Sequence, residues 1–253
     1  MIDSTSSPFA DGTALPWRSL TSIAANPVLI VAPHPDDETL GCGGTMALLR
    51  ALGVTVQVLV VSDGTQSHPN SRAYPAPKLK ALRESETREA LAILGVRQVH
   101  FVGLPDGKIP MQDALEARDA IAICQTFLTS LKPEIIFLPW RYDPHRDHRA
   151  TWQLFQRAIV TLSPKPRVIE YPIWDWDAAQ HQDLPNWEQF EVWRLGIDAV
   201  VEEKERAIAA YRSQTTRLIN DDPDGFLLTP EILENFKRPW EVYIEEKPYI
   251  DPL

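Results

Sequence analysis

Cysteine is nearly absent from this chain. Cys42 and Cys124 are the only two in 253 residues, too few for a disulfide framework, which points to a reducing compartment. Basic residues are outnumbered, 25 against 35 acidic ones, leaving a net charge of −10. An acidic chain is repelled by phosphate backbones and by anionic membranes, so no nucleic acid and no membrane surface is an expected partner. No apolar run approaches the roughly eighteen residues of a membrane span, so no transmembrane segment is expected. The first residues carry neither the basic start nor the apolar stretch of a signal peptide. Internal repeats and low-complexity tracts are also missing. The expectation is a soluble, cytoplasmic protein. What is present is ordinary for a globular chain: 44% hydrophobic and 24% charged residues exclude wholesale disorder. The length allows one large domain or two small ones.

The pattern of apolar segments narrows the fold. Residues 1–25, rich in Ser, Ala, Pro and Thr, show no period and read as a tail or irregular lead-in. Val28-Leu29-Ile30-Val31-Ala32 is a short, continuously apolar run, as expected of a strand buried on both faces of a parallel sheet. Further strands are predicted at Val54–Val61, Val99–Val102, Ile135–Leu138 and Val168–Ile173. Helices are predicted between them, over Thr39–Leu52, Lys78–Leu94, Asp113–Leu131 and Asp147–Val160. The first two of these end at Gly53 and Gly95, where a helix stop favours glycine. This alternation predicts an α/β fold, a three-layer Rossmann-like sandwich with a mainly parallel central sheet. The commonest such topology sets the first and fourth strands side by side and binds ligands at their carboxyl ends. After residue 173 the alternation weakens. Trp174, Trp176, Trp187 and Trp193 lie among acids and prolines, Val200–Tyr211 reads as a helix and Trp240–Ile244 as a late strand. Residues 26–253 are therefore expected to form one domain with a C-terminal elaboration from about 174.

Two loops carry chemistry. The first strand runs into Pro33-His34-Pro35-Asp36-Asp37-Glu38, and the fourth into Asp143-Pro144-His145-Arg146-Asp147-His148. If those strands are neighbours, His34, Asp36, Asp37, His145 and His148 surround one crevice. Two imidazoles and a carboxylate make a metal site with open positions, the pattern of catalytic zinc. A neighbouring carboxylate that is not a ligand can then take a proton from the water such an ion acidifies. His34 and Asp37 are three residues apart, and so are His145 and His148; one of the latter pair can bind the ion while the other faces substrate. Each group also has a plainer reading. Asp36, Asp37 and Glu38 suit a helix N-terminus, and each histidine alone suits a packed loop. The convergence of all five on two adjacent strand ends favours the site. His68 sits in a long polar loop from which it could reach the crevice, while His100 reads as a strand residue and His181 as a surface one.

The first segment, with Gly41-Cys42-Gly43-Gly44 after it, resembles the signature of the PIG-L/LmbE-like de-N-acetylases, and His145-Arg146-Asp147-His148 resembles their second motif. Fainter echoes follow in order: Arg83 with Glu86, then Leu104-Pro105-Asp106-Gly107, then Lys204, Ala207 and Tyr211-Arg212-Ser213-Gln214. The resemblance implies a divalent ion, usually zinc, with Fe2+ as the other candidate, held by His34, Asp37 and His148. It implies Asp36 as general base, His145 as the oxyanion-stabilising group in imidazolium form, and Arg83 and Asp106 as contacts to a sugar. Asp147 or Asp143 is the candidate to orient His145 by accepting its other N–H. Cys42 reads as a packed small residue, since nothing visible would activate a thiolate. The implied reaction is removal of an acetyl or other acyl group from the amide nitrogen of an N-acetylglucosamine-type sugar or glycoconjugate. Family members act on lipid-linked, nucleotide-linked and thiol-linked glucosamine derivatives. Two other readings stay open at this point: a non-haem Fe(II) enzyme, which two histidines and one carboxylate also suit, and an inactive sugar-binding module of the same fold.

Overall fold

The computed structural model describes residues 9, 12–175 and 186–248. The five apolar runs form β1 (Val28–Ala32), β2 (Val56–Ser62), β3 (Gln98–Leu104), β4 (Ile135–Pro139) and β5 (Arg167–Tyr171). Between them run α1 (Asp37–Ala51), α2 (Ala76–Ile93), α3 (Ala117–Leu131) and α4 (Arg146–Ile159). Two more strands follow, β6 (Phe190–Gly196) and β7 (Trp240–Glu246), with α5 (Val201–Ala209) between them. The sheet has seven strands in the order β3-β2-β1-β4-β5-β7-β6. Val28 stands beside Val56 on one side and Ile135 on the other, parallel in both cases. β1 and β4 are thus the neighbours at which the winding reverses, as the sequence predicts. The edge is antiparallel: β7 pairs with β5 at one end of the sheet and with β6 along its length.

Every residue of β1 and β4 is buried. Val28, Ile30 and Ala32 pack with residues of α1, α2 and α5, whereas Leu29 and Val31 face α3 and α4. Burial on both faces is why these strands read as unbroken apolar runs. Each such side chain stabilises the fold by about 1.5–3 kcal/mol. The sheet centre is therefore rigid, and the loops at its rim are held by a fixed frame. α1 lies unusually close to that frame. A Cβ on Gly41 would stand 2.3 Å from the Tyr171 ring, and one on Gly44 would stand 2.6 Å from Ile197. These glycines serve close helix packing on the sheet.

β6 has no counterpart among the predicted strands. Phe190 and Val192 join a small aromatic cluster with Trp140, Val242 and Ile244, while Trp193 and Leu195 join the main core. The described part of the lead-in is irregular but packed: Leu15 and Ile23 are buried, Leu20–Ile23 form a 3-10 turn, and Trp17 bridges to Arg194 of β6. Trp176 and His181 lie outside the described residues. Among the described residues, no helix is long and apolar enough to cross a membrane.

Candidate active site

Because β1 and β4 are adjacent and parallel, the loops that leave them open at the same edge. They bring His34, Asp36, Asp37, His145 and His148 together. The ring centres of His34, His145 and His148 are 4.8–5.4 Å apart in all pairings. One nitrogen from each of these three lies within 4.8 Å of the others. Asp37 Oδ2 is 3.1 Å from His34 Nδ1 and 3.3 Å from His148 Nε2. His34, Asp36, Asp37, Arg83, Asp106 and His145 open onto a cleft of about 230 Å³.

The outward-turned nitrogens have partners of their own. His34 Nε2 is 3.2 Å from Asp106 Oδ1 and 3.6 Å from Asp147 Oδ2. His148 Nδ1 is 3.3 Å from Asp143 Oδ2. Asp143 is itself fixed, accepting from the backbone of His145 at 2.8 Å and of Trp174 at 3.2 Å. Asp147 accepts from Gly107 N at 2.7 Å, and Asp106 accepts from Gln66 N at 2.8 Å. Two imidazoles therefore converge on Asp37 with carboxylates behind them, the arrangement that orients metal-bound histidines.

This corrects the expected partner of His145. Neither Asp143 nor Asp147 accepts a proton from that ring. Instead the Asp147 backbone N–H donates to His145 Nδ1 at 3.2 Å, capping α4. Nδ1 is thus an acceptor, so the proton of the neutral ring sits on Nε2. Burial, with His148 and His34 nearby, pulls the His145 pKa down to about 4. The imidazolium expected for His145 is disfavoured here by burial and by this cap, which a proton on Nδ1 would displace.

The two adjacent aspartates face different surroundings. Asp36 has φ 128°, the backbone region that side chains rarely adopt, at a cost of about 1–3 kcal/mol. Its N–H donates to Glu38 Oε2 at 3.2 Å, and its carbonyl accepts from Thr39 and Leu40 of α1. Its carboxylate lies 3.2 Å from Arg83 Nη2. Burial pushes the Asp36 pKa up to about 8 despite that arginine. Burial also acts on Asp37, but His148 and His34 win and hold it well below the usual carboxylate range. Against the pull of burial, Asp143 and Asp37 hold His148 up at about 10. Likewise His34 holds Asp106 down to about 2, again against burial.

Arg83 is buried and donates to Gly64 O at 2.9 Å and Pro35 O at 2.6 Å, tying the loops after β1 and β2 together. Its Nε has no hydrogen-bond partner. His68 is not among the cleft lining; it packs on Gly225 and reaches Ser67 Oγ at 3.2 Å. His100 is a strand residue whose ring packs on Phe127. Burial pushes the Cys42 thiol up, which agrees with a packing role. The Trp-bearing segment after residue 173, which from the sequence could bind a sugar ring or a protein partner, brings Trp174 to the cleft; sequence reasoning missed Phe226 and Leu228 beside it, and Glu38, which is fully buried and bonded by Tyr211 Oη.

The donor set fits a divalent ion. His148 is fully buried, and neither of its nitrogens has a hydrogen bond of good geometry. Nitrogen and oxygen donors from two histidines and an aspartate are the set that zinc or iron accepts.

Comparison with known proteins agrees with the geometry. A probable N-acetyl-alpha-D-glucosaminyl L-malate deacetylase 2 of Bacillus anthracis is 29% identical over 85% of this chain and 94% of its own. The N,N'-diacetylchitobiose deacetylase of Pyrococcus horikoshii superposes with a TM-score of 0.65 at 21% identity, over 90% of this chain and 89% of that one. The 4-carboxy-2-hydroxymuconate hydratase GalB of Pseudomonas putida superposes as well, with a TM-score of 0.66 at 17% identity, over 90% and 99%. The last two share the fold, which evidently carries more than one chemistry. The model of one family, PIG-L, described as GlcNAc-PI de-N-acetylase, matches residues 29–159. That stretch is just over half of the chain and runs from β1 to the end of α4 with both site loops inside it, so the chain belongs to the PIG-L family.

Proposed function

We propose that this protein is a metal-dependent amidohydrolase that removes an acetyl group from the nitrogen of an N-acetylglucosamine-type sugar or glycoconjugate. The observation that carries the reading is Asp36, a buried carboxylate beside the His34, Asp37 and His148 cluster but bound to Arg83 instead of to a histidine. His34, Asp37 and His148 would hold a divalent ion, zinc being the first candidate, and its chemistry there would be to polarise the carbonyl and make the attacking water more acidic.

The protein's own groups do the rest. Asp36 takes a proton from the attacking water and passes it to the departing nitrogen. The C–N bond breaks, the amine leaves with that proton, and the water oxygen stays on the acyl carbon as a carboxylic acid, whose remaining proton then passes to the free amine or to solvent. His145 donates its Nε2–H to the carbonyl oxygen as charge develops there. As a neutral donor it needs no protonation before each turnover. Arg83 and Asp106 form the polar side of the cleft for the sugar.

A buried second carboxylate favours hydrolysis over iron-dependent oxygen chemistry, and the presence of all five groups favours an enzyme over an inactive module. Both cysteines are free and buried, which supports a reducing compartment such as the cytoplasm.

The test is acetate release from N-acetylated amino sugars with and without chelator. Asp36→Asn is expected to keep its metal and to lose about 10²–10⁴ in kcat. Turnover near that of the parent would remove Asp36 from the mechanism.

A further inference from the structure

The cleft also has an apolar part to its lining. Leu40 and Leu228 are buried in it, and Trp174 and Phe226 are half-buried. The two aromatic rings meet edge to face with centroids 5.9 Å apart. The backbone fixes this part. Trp174 N donates to Asp143 Oδ2 at 3.2 Å, Phe226 N to Ser67 O at 2.7 Å, and Leu228 N to Gln214 O at 2.8 Å.

Apart from the histidine cluster, the charged lining of the cleft is mostly acidic. Asp36, Asp37 and Asp106 line it, and Arg83 is the one lysine or arginine among the described lining residues. That guanidinium is committed to two carbonyls and to Asp36. An anionic group pressed against Trp174 and Phe226 would lose its water and meet no free lysine or arginine among the described lining residues, which is costly. The net charge of −10 repels it further. An uncharged apolar or aromatic group gains burial and ring contacts at the same place.

We propose that Trp174, Phe226 and Leu228 form an aglycone subsite for an uncharged apolar or aromatic substituent on the N-acetylated sugar. The proposal rests on the deacetylase reading for the position of the amide. It separates this chain from the relative named for an L-malate conjugate, since malate carries two carboxylates.

The experiment compares 4-nitrophenyl and 4-carboxyphenyl N-acetylglucosaminides, nearly isosteric and different in charge, with N-acetylglucosamine itself. Acetate release gives kcat and KM. Calorimetry with the corresponding free-amine products, which cannot be deacetylated, gives Kd on the metal-loaded protein. The nitrophenyl compound is expected to show KM and Kd about tenfold lower than either of the others. Trp174→Ala, or Phe226→Ala should the first variant not fold, is expected to erase that preference. Phe226→Lys is expected to shift it toward the carboxyphenyl compound. Equal or tighter binding of the carboxyphenyl compound by the parent would overturn the subsite. Acetate release from all three without preference would also overturn it and leave the deacetylase reading intact. Preferential nitrophenyl binding without any acetate release would sustain the subsite and sink the deacetylase reading.

Discussion

Asp36 and Asp37 are chain neighbours with opposite tasks, and the difference lies in what each carboxylate faces. Asp37 meets two imidazoles; Asp36, turned away by its φ of 128°, meets Arg83. The convergence of His and Asp on two adjacent strand ends was legible in the sequence, because both loops leave neighbouring parallel strands at the same edge. Ring orientation was not legible. It depends on which nitrogen each histidine turns inward, and only the packed loops decide that. Asp143 shows the gap: the sequence suggests a partner for His145, yet its side chain stands behind His148. Asp143→Asn retains an oxygen for the His145 backbone and removes the charge from His148. Its metal affinity is expected to fall about 10–100-fold, as read by competition with a chromophoric chelator. His148→Ala is expected to lose the metal altogether. Parent affinity in Asp143→Asn would reduce that residue to a loop brace, and full occupancy in His148→Ala would end the ligand assignment.

The inner strands announce themselves by unbroken apolar runs, whereas β6 carries Glu191 and Arg194 within seven residues and reads as an acidic, Trp-bearing loop. Its place at the sheet edge explains this, since an edge strand can point charges outward and pair them. Arg18 of the lead-in reaches both Glu191 and Glu245, and Arg167 of β5 grips Glu245 with two bonds, at 2.7 and 2.8 Å. No local pattern could show a clamp whose members lie so far apart in the chain. Glu245 is largely buried, and although burial opposes it, Arg167 and Arg18 hold its pKa below the ordinary 4.5. A lowered carboxylate pKa stabilises the folded state above the ordinary value and loses that contribution as pH falls through the lowered one. Glu245→Gln is therefore expected to cost about 1 kcal/mol at pH 7, after discounting for the partly exposed Arg167. In urea titrations the gap between parent and variant should close as pH falls below the ordinary carboxylate range. A pH-independent gap would mean that shape, and not charge, holds this edge.

At the scale of the molecule, the site joins parts that meet only after folding. β1 and β4 supply the chemistry, and their adjacency follows from the commonest winding of such a sheet. Another part of the cleft lining comes from the C-terminal third, where Asp222 accepts from Asn70 N and Asp221 from Ser71 Oγ to bind two long loops together. Nothing periodic marks those loops, so Phe226 and Leu228 could not be placed from the sequence. An ion held by His34, Asp37 and His148 would bind the folded chain and not the unfolded one, so it must raise the melting temperature. At a free metal concentration of 100 Kd the stabilisation is about 2.7 kcal/mol. For a chain of this size that corresponds to roughly 5–11 °C in Tm. Thermal unfolding with added metal and with excess chelator is expected to show this difference in the parent and none in His148→Ala. The same shift in both proteins would place the ion elsewhere. No shift in the parent would mean that Asp37 and Asp143 serve only to balance a protonated His148.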